Sequence, residues 1–515
     1  MEMPEFRSRS RAIVEDVTLT YRQRMHYLAG LAEEALDGPP LGEACRNALD
    51  KRIICDMHEG PAPHRPRYLL PDYARALRQG SAHLELDPPA NLDDALSFLL
   101  ILYTQVPSIT GYPVYLGDFD KLLAPYVDGV DDDALTVALR RFWIALDRIL
   151  PDAFVHTNLG PADSRVGRII LRLERELGQV VPNLTLKVDP DITPDDYLLD
   201  AVATVFEVAQ PHFVNHPMMV GDLGDEYGVV SCYNSLKVGG GSHTLVRLDL
   251  KEVARSHQGG LDAFFAETLP HYAELNAELI EARIRYLVER SRFFEHHFLV
   301  DEGLAALDRF SAMFGIFGLA EAVDLLMEAQ GRPGRYGHDA AANALAHRIT
   351  RELAAFVEAR PMPYCEGNAG VCFFHSQAGI DTDLDVTAGT RIPVGDEPDL
   401  YAHIAAVAPH HPLFNAGISD IFAFDDTVRR NPQAVVDVIR GAFSQGMRDF
   451  TFNLDSNDFI RITGYLVRKS DLARLDEGVR HTSTHLGAGS VENGAVNARN
   501  PKRVISGERR PRAAV

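Results

Sequence analysis

The sequence predicts a mixed α/β fold in which helices pack around a central sheet or barrel. From the proline-rich segment at residues 60–66 to about residue 440, short apolar segments typical of strands alternate with longer segments of helical spacing. Such alternation over hundreds of residues is typical of α/β layers and barrels. The length of 515 residues, with 46% hydrophobic and 24% charged residues, matches a globular enzyme that buries an extensive core.

Single elements follow from local residue patterns. The first forty residues favour helices, and several later segments carry apolar side chains at helical spacing, whereas β-branched runs have strand character. The two longest helical segments predict outer helices that pack on the central sheet. The predicted strands are residues 183–188 and 229–231, and the predicted helices are residues 15–35, 197–209, 261–300, 303–329 and 470–477.

Charge and cysteine content restrict the class of protein. The formal net charge of −22 argues against a general nucleic-acid binder. The longest apolar run, residues 96–106, is interrupted by polar residues and is too short to span a bilayer. Five cysteines are few and odd in number, as in proteins of a reducing compartment. With no secretory signal pattern at the N-terminus, we expect a cytoplasmic enzyme that does not bind membranes.

A five-residue motif near the C-terminus carries the most specific chemistry. Residues 461–465 read Arg-Ile-Thr-Gly-Tyr and match the pattern in which a backbone glycine, here Gly464, stores an unpaired electron. Glycine suits this task because its Cα lies between an electron-donating amide and an electron-withdrawing carbonyl. Without a Cβ, the radical centre flattens with no steric penalty.

A cysteine far upstream provides the second half of such chemistry. Cys232 follows the predicted strand 229–231 and precedes three successive glycines at residues 239–241, so its loop has room to turn sharply. A thiol at the tip of such a loop can be delivered to the centre of a barrel. A free cysteine is also commonly a small buried apolar residue, and that alternative stays open.

Other candidate sites have weaker patterns. Cys365 and Cys372 could form a redox pair, but their spacing matches no zinc site. His212 and His216 are four residues apart without the glutamate of a zinc-protease helix. The sequence has no phosphate-binding loop, no dinucleotide fingerprint and no nucleophile elbow. We therefore predict no metal site and no tightly bound cofactor.

Taken together, these residues resemble the glycyl radical enzyme superfamily, which includes pyruvate formate-lyase and anaerobic ribonucleotide reductase. The sequence is most similar to the YjjI branch of that superfamily, over most of its length. Besides the cysteine and glycine segments, the resemblance is carried by residues 67–73, 111–117, 182–186, 194–196, 211–215, 386–390 and 450–453.

The resemblance implies a ten-stranded α/β barrel of two half-barrels with outer helices, inside which two opposed loops carry Cys232 and Gly464. It divides the chain into an N-terminal helical segment (residues 1–60), a barrel with the cysteine loop (residues 61–445) and a glycine-radical region with a basic tail (residues 446–515). It also implies a separate activase that uses S-adenosylmethionine and an iron–sulfur cluster to take hydrogen from Gly464. A thiyl radical on Cys232 would then attack a small polar substrate by elimination, cleavage or reduction. A homodimer is expected by the same resemblance.

Several positions depart from the superfamily patterns. Many eliminating members have glutamate two residues after the cysteine, where this chain has Asn234. Pyruvate formate-lyase has two adjacent cysteines, which this chain lacks, and no cysteine follows Cys372 to build the zinc site of a ribonucleotide reductase. Because of this departure, ribonucleotide reduction is kept only as an alternative function. A second glycine, Gly507, lies in a looser version of the motif and is the alternative radical position.

Further site residues are expected near the cysteine loop. We predict Glu366 as an acid/base catalyst and Asn234 and His243 as substrate contacts. Two other functions remain open at this point. One is a catalytically silent binding or scaffold protein with the same fold, and the other is a redox-regulated enzyme that uses Cys365 and Cys372.

Overall fold

The protein is described by a computed structural model. It describes residues 1–17, 19, 21–57, 59–108, 114–149, 155–230, 233–376, 386–462 and 466–476. Cys232, Gly464 and Gly507 lie outside the described residues, whereas the segments that flank Cys232 and Gly464 lie within them.

Fifteen strands are found in the described part of the chain, and eleven of them form two sheets. One sheet has the order β1-β9-β10-β11, with β2 also paired to β9, and the other has the order β12-β13-β6-β5-β4-β3. The strands are β1 Ile54–Cys55, β2 Tyr68–Leu70, β3 Tyr115–Asp118, β4 His156–Leu159, β5 Asn183–Val188, β6 His212–Asn215, β7 Tyr227–Val230, β8 Asn234–Lys237, β9 Gly240–Asp249, β10 Phe310–Phe317, β11 Phe373–His375, β12 Ile421–Phe424, β13 Asp449–Leu454, β14 Phe459–Arg461 and β15 Leu466–Arg468.

The two sheets combine into one barrel, and their parallel pairs divide it into two halves. In one half, β3, β4, β5 and β6 pair in parallel, each with the next along the chain. In the other half, β9 pairs with β10, β10 with β11 and β12 with β13, all in parallel. The halves meet in antiparallel pairs, β6 with β13 and β2 with β9. β1 and β2 pair with different parts of β9 and so share one position. The pairing therefore accounts for ten strand positions, which confirms the predicted fold class.

The ring of strands has two junctions without a hydrogen-bonded ladder among the described residues. At the first junction, β2 contacts β3. At the second, Ala416 N–H donates to the Phe374 carbonyl and Ser376 N–H donates to the Gly417 carbonyl, which links β11 to the segment before β12. These contacts give the two sheets the order of a barrel.

Helices cover the outside of the strands. The described α-helices are α1 Met3–Glu15, α2 Tyr21–Glu34, α3 Glu43–Asp50, α4 Tyr73–Gln79, α5 Leu92–Tyr103, α6 Phe119–Leu123, α7 Asp132–Ile149, α8 Arg165–Leu177, α9 Asp195–Val208, α10 His216–Leu223, α11 Leu250–Ser256, α12 Leu261–Ala263, α13 Leu269–Arg285, α14 Phe298–Asp301, α15 Leu319–Ala329, α16 Ala340–Ala359, α17 Leu400–Val407, α18 Pro432–Ser444 and α19 Lys469–Asp476. No helix in the described ranges is long and apolar enough to cross a membrane.

Local chemistry explains where the helices begin and end. The Ser164 hydroxyl accepts a hydrogen bond from Gly167 N–H and so caps the start of α8. Gly178 ends the same helix in the left-handed conformation, which glycine adopts without a Cβ penalty. All six residues of β5 are buried, because helices cover its outer face and other chain segments fill the inside of the barrel.

One predicted element is wrong over part of its length. The predicted helix at residues 303–329 contains strand β10, and only Leu319–Ala329 is helical. Every residue of β10 is buried, and a continuous apolar strand cannot be told from a buried helix by periodicity alone. The predicted helix at residues 261–300 ends earlier, since its continuous helical part stops at Arg290. Both sheets also include strands beyond residues 61–445, namely β1 and β13.

Candidate functional site

A β-hairpin lies inside the barrel and carries the residues that flank Cys232. Its two strands, β7 and β8, pair from Tyr227–Lys237 to Val230–Asn234. Its first strand packs on β3 and β4 of the first half-barrel. The side chain of Asn158 on β4 holds it there, because Asn158 Oδ1 accepts from Val229 N–H at 2.8 Å and Asn158 Nδ2 donates to the Val229 carbonyl at 2.8 Å. This pair of bonds reproduces the pairing of a neighbouring strand.

The base of this cysteine hairpin is fixed by a buried charged pair. Lys187 Nζ on β5 lies 2.7 Å from Asp118 Oδ1 and donates to the Tyr227 carbonyl at 2.8 Å. Burial lowers the pKa of Lys187, while the Asp118 carboxylate opposes that shift. Burial acts to raise the pKa of Asp118, but Lys187 and Lys121 hold it below its usual value. The contacts of Lys187 with Asp118 and with the Tyr227 carbonyl therefore anchor the hairpin to the end of β5.

The tip of the cysteine hairpin contacts the opposite half-barrel. Tyr233, the residue after Cys232, has a left-handed backbone with φ of 61° and is buried. A Cβ on Gly417 would lie 2.7 Å from the Tyr233 carbonyl oxygen, and Gly417 itself has φ of 129°. Ser235 N–H donates to the Ala416 carbonyl at 3.2 Å. The close approach therefore requires glycine at position 417.

A second hairpin, β14–β15, brings in the residues that flank Gly464. Asn453 on β13 holds it in the same way as Asn158 holds the cysteine hairpin. Asn453 Oδ1 accepts from Arg461 N–H at 2.8 Å, and Asn453 Nδ2 donates to the Arg461 carbonyl at 2.9 Å. Arg391 is also buried, and its Nη1 donates to the Ile462 carbonyl at 3.1 Å while its Nε donates to the Ser419 carbonyl.

The two hairpins meet inside the barrel. The buried Arg461 guanidinium lies 5.8 Å from the centre of the Tyr233 ring, and it donates to Asn183 Oδ1 and to the Ala209 carbonyl. The His212 ring lies 4.1 Å from the Tyr233 ring. Burial, together with the positive charge of Arg461, lowers the pKa of His212 well below its usual value. The described neighbours of Cys232 and Gly464 therefore share one buried environment in which the histidine is neutral.

Polar side chains of β13 face the same interior. Asp449 and Thr451 are buried. Burial raises the pKa of Tyr233, the charge of Asp449 adds to this shift, and Arg461, Thr451 and Arg391 only partly oppose it. Sequence reasoning missed Asp449, Thr451, Arg391 and His212 as site residues. The signal for the first two was present, since residues 449–453 alternate strictly between polar and aromatic residues, as in a strand with one functional face.

Of the predicted site residues, Asn234 lies at the cysteine hairpin, whereas Glu366 lies on an exposed turn. Asn234 is buried at the start of β8, where its Cα lies 3.3 Å from a Cβ built on Gly417, so it belongs to the tip of the cysteine hairpin. Glu366 is exposed and opens a 3₁₀ turn at Glu366–Asn368. Its catalytic role stays a prediction, as do those of Cys232 and Gly464.

His243 is buried on β9, where it contacts residues outside both hairpins. Its Nε2 is 2.7 Å from the Tyr364 carbonyl, and its ring packs against Phe294 and Phe310. Burial lowers its pKa to about 4. None of these contacts belongs to either hairpin, so the structure does not bring His243 together with Tyr233. Its role as a substrate contact stays a prediction.

Cys365 and Cys372 lie together at the start of β11. Both are buried free thiols, and a hydrogen bond with Cys365, reinforced by burial, raises the pKa of Cys372 well above its usual value. Thiols of raised pKa are poor nucleophiles. Within the described ranges, no three His, Cys, Asp or Glu side chains gather as a possible metal site.

Comparisons with known proteins agree with this architecture. The family model described as glycyl radical enzyme YjjI-like matches residues 19–502. The protein YjjI of Escherichia coli K12 is 50% identical over 507 residues, which cover 98% of this chain and 97% of the relative. Among solved structures, the anaerobic ribonucleotide reductase from Thermotoga maritima has a TM-score of 0.68 at 11% identity, with 93% of this chain and 94% of that chain covered.

A dehydratase has a similar fold. The B12-independent glycerol dehydratase from Clostridium butyricum has a TM-score of 0.62 at 12% identity, with coverage of 83% of this chain and 80% of that chain. At such low identities these two likenesses concern the fold alone. The fold therefore accommodates both a reductase and a lyase.

Proposed function

The chain belongs to the YjjI-like family of glycyl radical enzymes, and from that premise we propose that Gly464 stores the radical and that Cys232 passes it to the substrate. The observation that carries the proposal is a matched pair of asparagine clamps, by which we mean a side-chain amide that bonds both backbone groups of one residue. Asn158 binds the backbone of Val229, three residues before Cys232, and Asn453 binds the backbone of Arg461, three residues before Gly464. Each half-barrel thus holds one of the two reactive loops.

The contact between Arg461 and Tyr233 supports a direct transfer between the loops. In the proposed step, the Cys232 S–H bond breaks and a C–H bond forms at the Gly464 Cα, so one hydrogen atom moves and a thiyl radical remains on sulfur. The thiyl radical then takes a hydrogen atom from a substrate C–H bond and returns it at the end of the cycle. The buried surroundings of Tyr233 keep water and other hydrogen donors away from these radicals.

The substrate is a small polar organic molecule, and the reaction is a radical elimination, cleavage or reduction. Asn234, at the tip of the cysteine hairpin, is the first candidate for a substrate contact. Glu366 and His243 are weaker candidates because of their positions. A ribonucleotide-reductase-like activity is the second candidate function, favoured by the likeness in fold to the Thermotoga maritima enzyme. The absence of any cysteine after Cys372 in the sequence argues against it.

The proposed activity needs a partner. A separate radical S-adenosylmethionine enzyme with an iron–sulfur cluster would take the hydrogen atom from Gly464, as membership of the glycyl radical enzyme family implies. We also propose a cytoplasmic location, in keeping with the free thiols of Cys45, Cys55, Cys365 and Cys372, and a homodimeric assembly.

Electron paramagnetic resonance of the activated protein tests the proposal. After anaerobic activation, the wild type and Cys232→Ser are expected to show a glycine-centred signal, whereas Gly464→Ala is expected to show none. Gly507→Ala is the matched control and should keep the signal. Loss of the signal in Gly507→Ala but not in Gly464→Ala would move the radical to the alternative glycine. Absence of a signal in every variant, with an activase that works on its own known target, would favour a catalytically silent protein.

A further inference from the structure

Strand β13 presents two different faces. Phe450 stacks on Phe422 of the next strand, and Phe452 packs against Phe206 of the outer helix α9. Since successive side chains of a strand point to opposite faces, Asp449 and Thr451 point away from these aromatic residues and into the barrel. The charge and hydrogen-bonding groups that act on Tyr233 include both of them. They therefore lie next to the residue that follows Cys232.

Asn453, on the inner face of β13, is bonded to Arg461, but the other two polar side chains of this face, Asp449 and Thr451, have no hydrogen-bond partner of good geometry within the described ranges. This holds for both carboxyl oxygens of Asp449 and for the hydroxyl of Thr451, although both residues are about 98–99% buried. A buried polar group without a partner costs about 1–3 kcal/mol. Buried carboxyl and hydroxyl groups are nearly always satisfied by protein, water or ligand. The inner face of β13 therefore has the character of a binding site.

The charge environment determines which form of Asp449 is present. Burial and the nearby charge of Asp420 raise the pKa of Asp449 well above its usual value, and Arg391 and Arg448 only partly oppose this shift. Burial acts to raise the pKa of Asp420, but His403 and His411, 3.8 and 3.2 Å from its carboxylate oxygens, hold that pKa below the usual value. The raised pKa of Asp449 favours its neutral acid form, which can both donate and accept a hydrogen bond.

We infer that Asp449 and Thr451 form the subsite that binds a hydroxyl oxygen of a small neutral substrate beside Cys232. A hydroxyl group donates one hydrogen bond and accepts others, so it matches a carboxylic acid and a threonine hydroxyl, which have the same dual capacity. An ammonium group could only donate, and an anion could only accept. The inference rests on the proposed function for the position of the reactive thiol, and it narrows the substrate to hydroxylated neutral molecules.

Binding of simple polyols to the full-length, unactivated protein tests this subsite. Glycerol and propane-1,2-diol serve as probes, and saturation-transfer nuclear magnetic resonance measures their dissociation constants. Asp449→Ala should weaken at least one probe tenfold or more, whereas Asp449→Asn, which keeps a donor and an acceptor, should stay within about threefold of the wild type. A tenfold loss corresponds to about 1.4 kcal/mol. Asp120→Ala is the control, since Asp120 is buried but bonded to Gly160 and Ser164 away from this face.

Stability provides a readout that separates binding from a structural role. Because the Asp449 carboxyl makes no hydrogen bond with the described protein, Asp449→Ala and Asp449→Asn should not lower the free energy of unfolding. Wild-type protein that binds neither polyol, or Asp449→Ala that binds both as the wild type does, would overturn the inference. The radical signal of Asp449→Ala, recorded in parallel, should be unchanged, so loss of polyol binding alone does not affect the proposed roles of Cys232 and Gly464.

Discussion

The cysteine hairpin and the glycine hairpin are held by the same device in different surroundings. In both, one asparagine binds the N–H and carbonyl of a residue three positions before the reactive residue. Asn158 and its partner Val229 are fully buried, whereas Asn453 is half-buried. The cysteine hairpin also continues directly into the long central strand β9, while the glycine hairpin continues into the short helix α19.

This difference means that the cysteine hairpin is held more firmly than the glycine hairpin. The bonds of Asn158 can be broken only by exposing buried polar groups, which is costly. Because Asn453 is half-buried, water can reach its amide as the bonds to Arg461 break, so release of the glycine hairpin costs less. An activase that acts on Gly464 needs access to this hairpin, in which Arg461 is completely buried. On the proposed function, in which an activase reaches Gly464, the weaker clamp lies on the loop that would have to open.

Removal of each asparagine side chain gives the largest expected contrast. Asn158→Ala leaves the Val229 N–H and carbonyl buried without partners, and at about 1–3 kcal/mol per group the free energy of unfolding should fall by about 2–6 kcal/mol. Asn453→Ala should lower it by only about 1 kcal/mol, because Asn453 is half-buried and water can enter the space that its side chain leaves. Urea unfolding of both variants measures the difference. Equal losses would show that the two hairpins are held with similar strength, contrary to the comparison.

The arginine at the glycine hairpin should have a more local effect. Arg391→Gln removes the donor to the Ile462 carbonyl, and a hydrogen bond to a charged group contributes about 1.5–3 kcal/mol. We expect faster amide hydrogen exchange across β14 and β15 with no change across β7 and β8. Arg429→Gln, which removes an exposed ion pair with Glu207, is the control and should alter neither hairpin. Faster exchange across both hairpins would mean that Arg391 supports the whole interior.

The contact between the hairpins should depend on pH through His212. Its pKa is lowered in the folded protein, so the unfolded chain takes up a proton near its usual pKa of about 6.5 while the folded protein does not. The contribution of the neutral His212 to the free energy of unfolding is therefore fully present above about pH 6.5 and is lost as the pH falls below that value. His212→Gln should make the unfolding free energy less dependent on pH by up to about 1.4 kcal/mol per pH unit between pH 6.5 and 5. Parallel pH curves for wild type and variant would contradict this account.

The smallest effect is expected at the second thiol pair. Since Cys365 and Cys372 are buried thiols and the raised pKa of Cys372 disfavours its thiolate, replacing both by serine should leave the radical signal unchanged and turnover within about threefold. Cys232→Ser should abolish turnover in the same assay. The reverse pattern would support the redox-regulated enzyme instead.

Much of the fold followed from the sequence because its elements have clear local patterns. The strand at residues 183–188 coincides with β5, and the helix at residues 197–209 agrees with α9 to within two residues at each end. Strand β10 was missed, because its apolar run has no alternation and merges with the helix that follows it. The roles of Gly464 and Cys232 were predicted from their residue types, and they stay predictions, since both residues lie outside the described residues.

The interior surroundings of these residues could not be predicted. His212 was considered only as a metal ligand with His216, whereas it packs against Tyr233 inside the barrel. Tyr233 is 21 residues from His212 along the chain, and Arg461 is 228 residues beyond Tyr233, so no local pattern connects the three residues. The alternation at residues 449–453 marks Asp449 as lying on one face of a strand, but its raised pKa has no sequence signature, because it depends on burial and on Asp420 in three dimensions.

Mass spectrometry of the activated protein after brief exposure to air tests the central claim most directly. Oxygen is expected to cut the chain at the radical-bearing residue. If Gly464 stores the radical beside the cysteine hairpin, the protein should lose the C-terminal segment that begins at residue 464, about fifty residues in length. Loss of only the last few residues would place the radical at Gly507. An intact chain after activation by a demonstrably working activase would contradict the assignment of a radical to this protein.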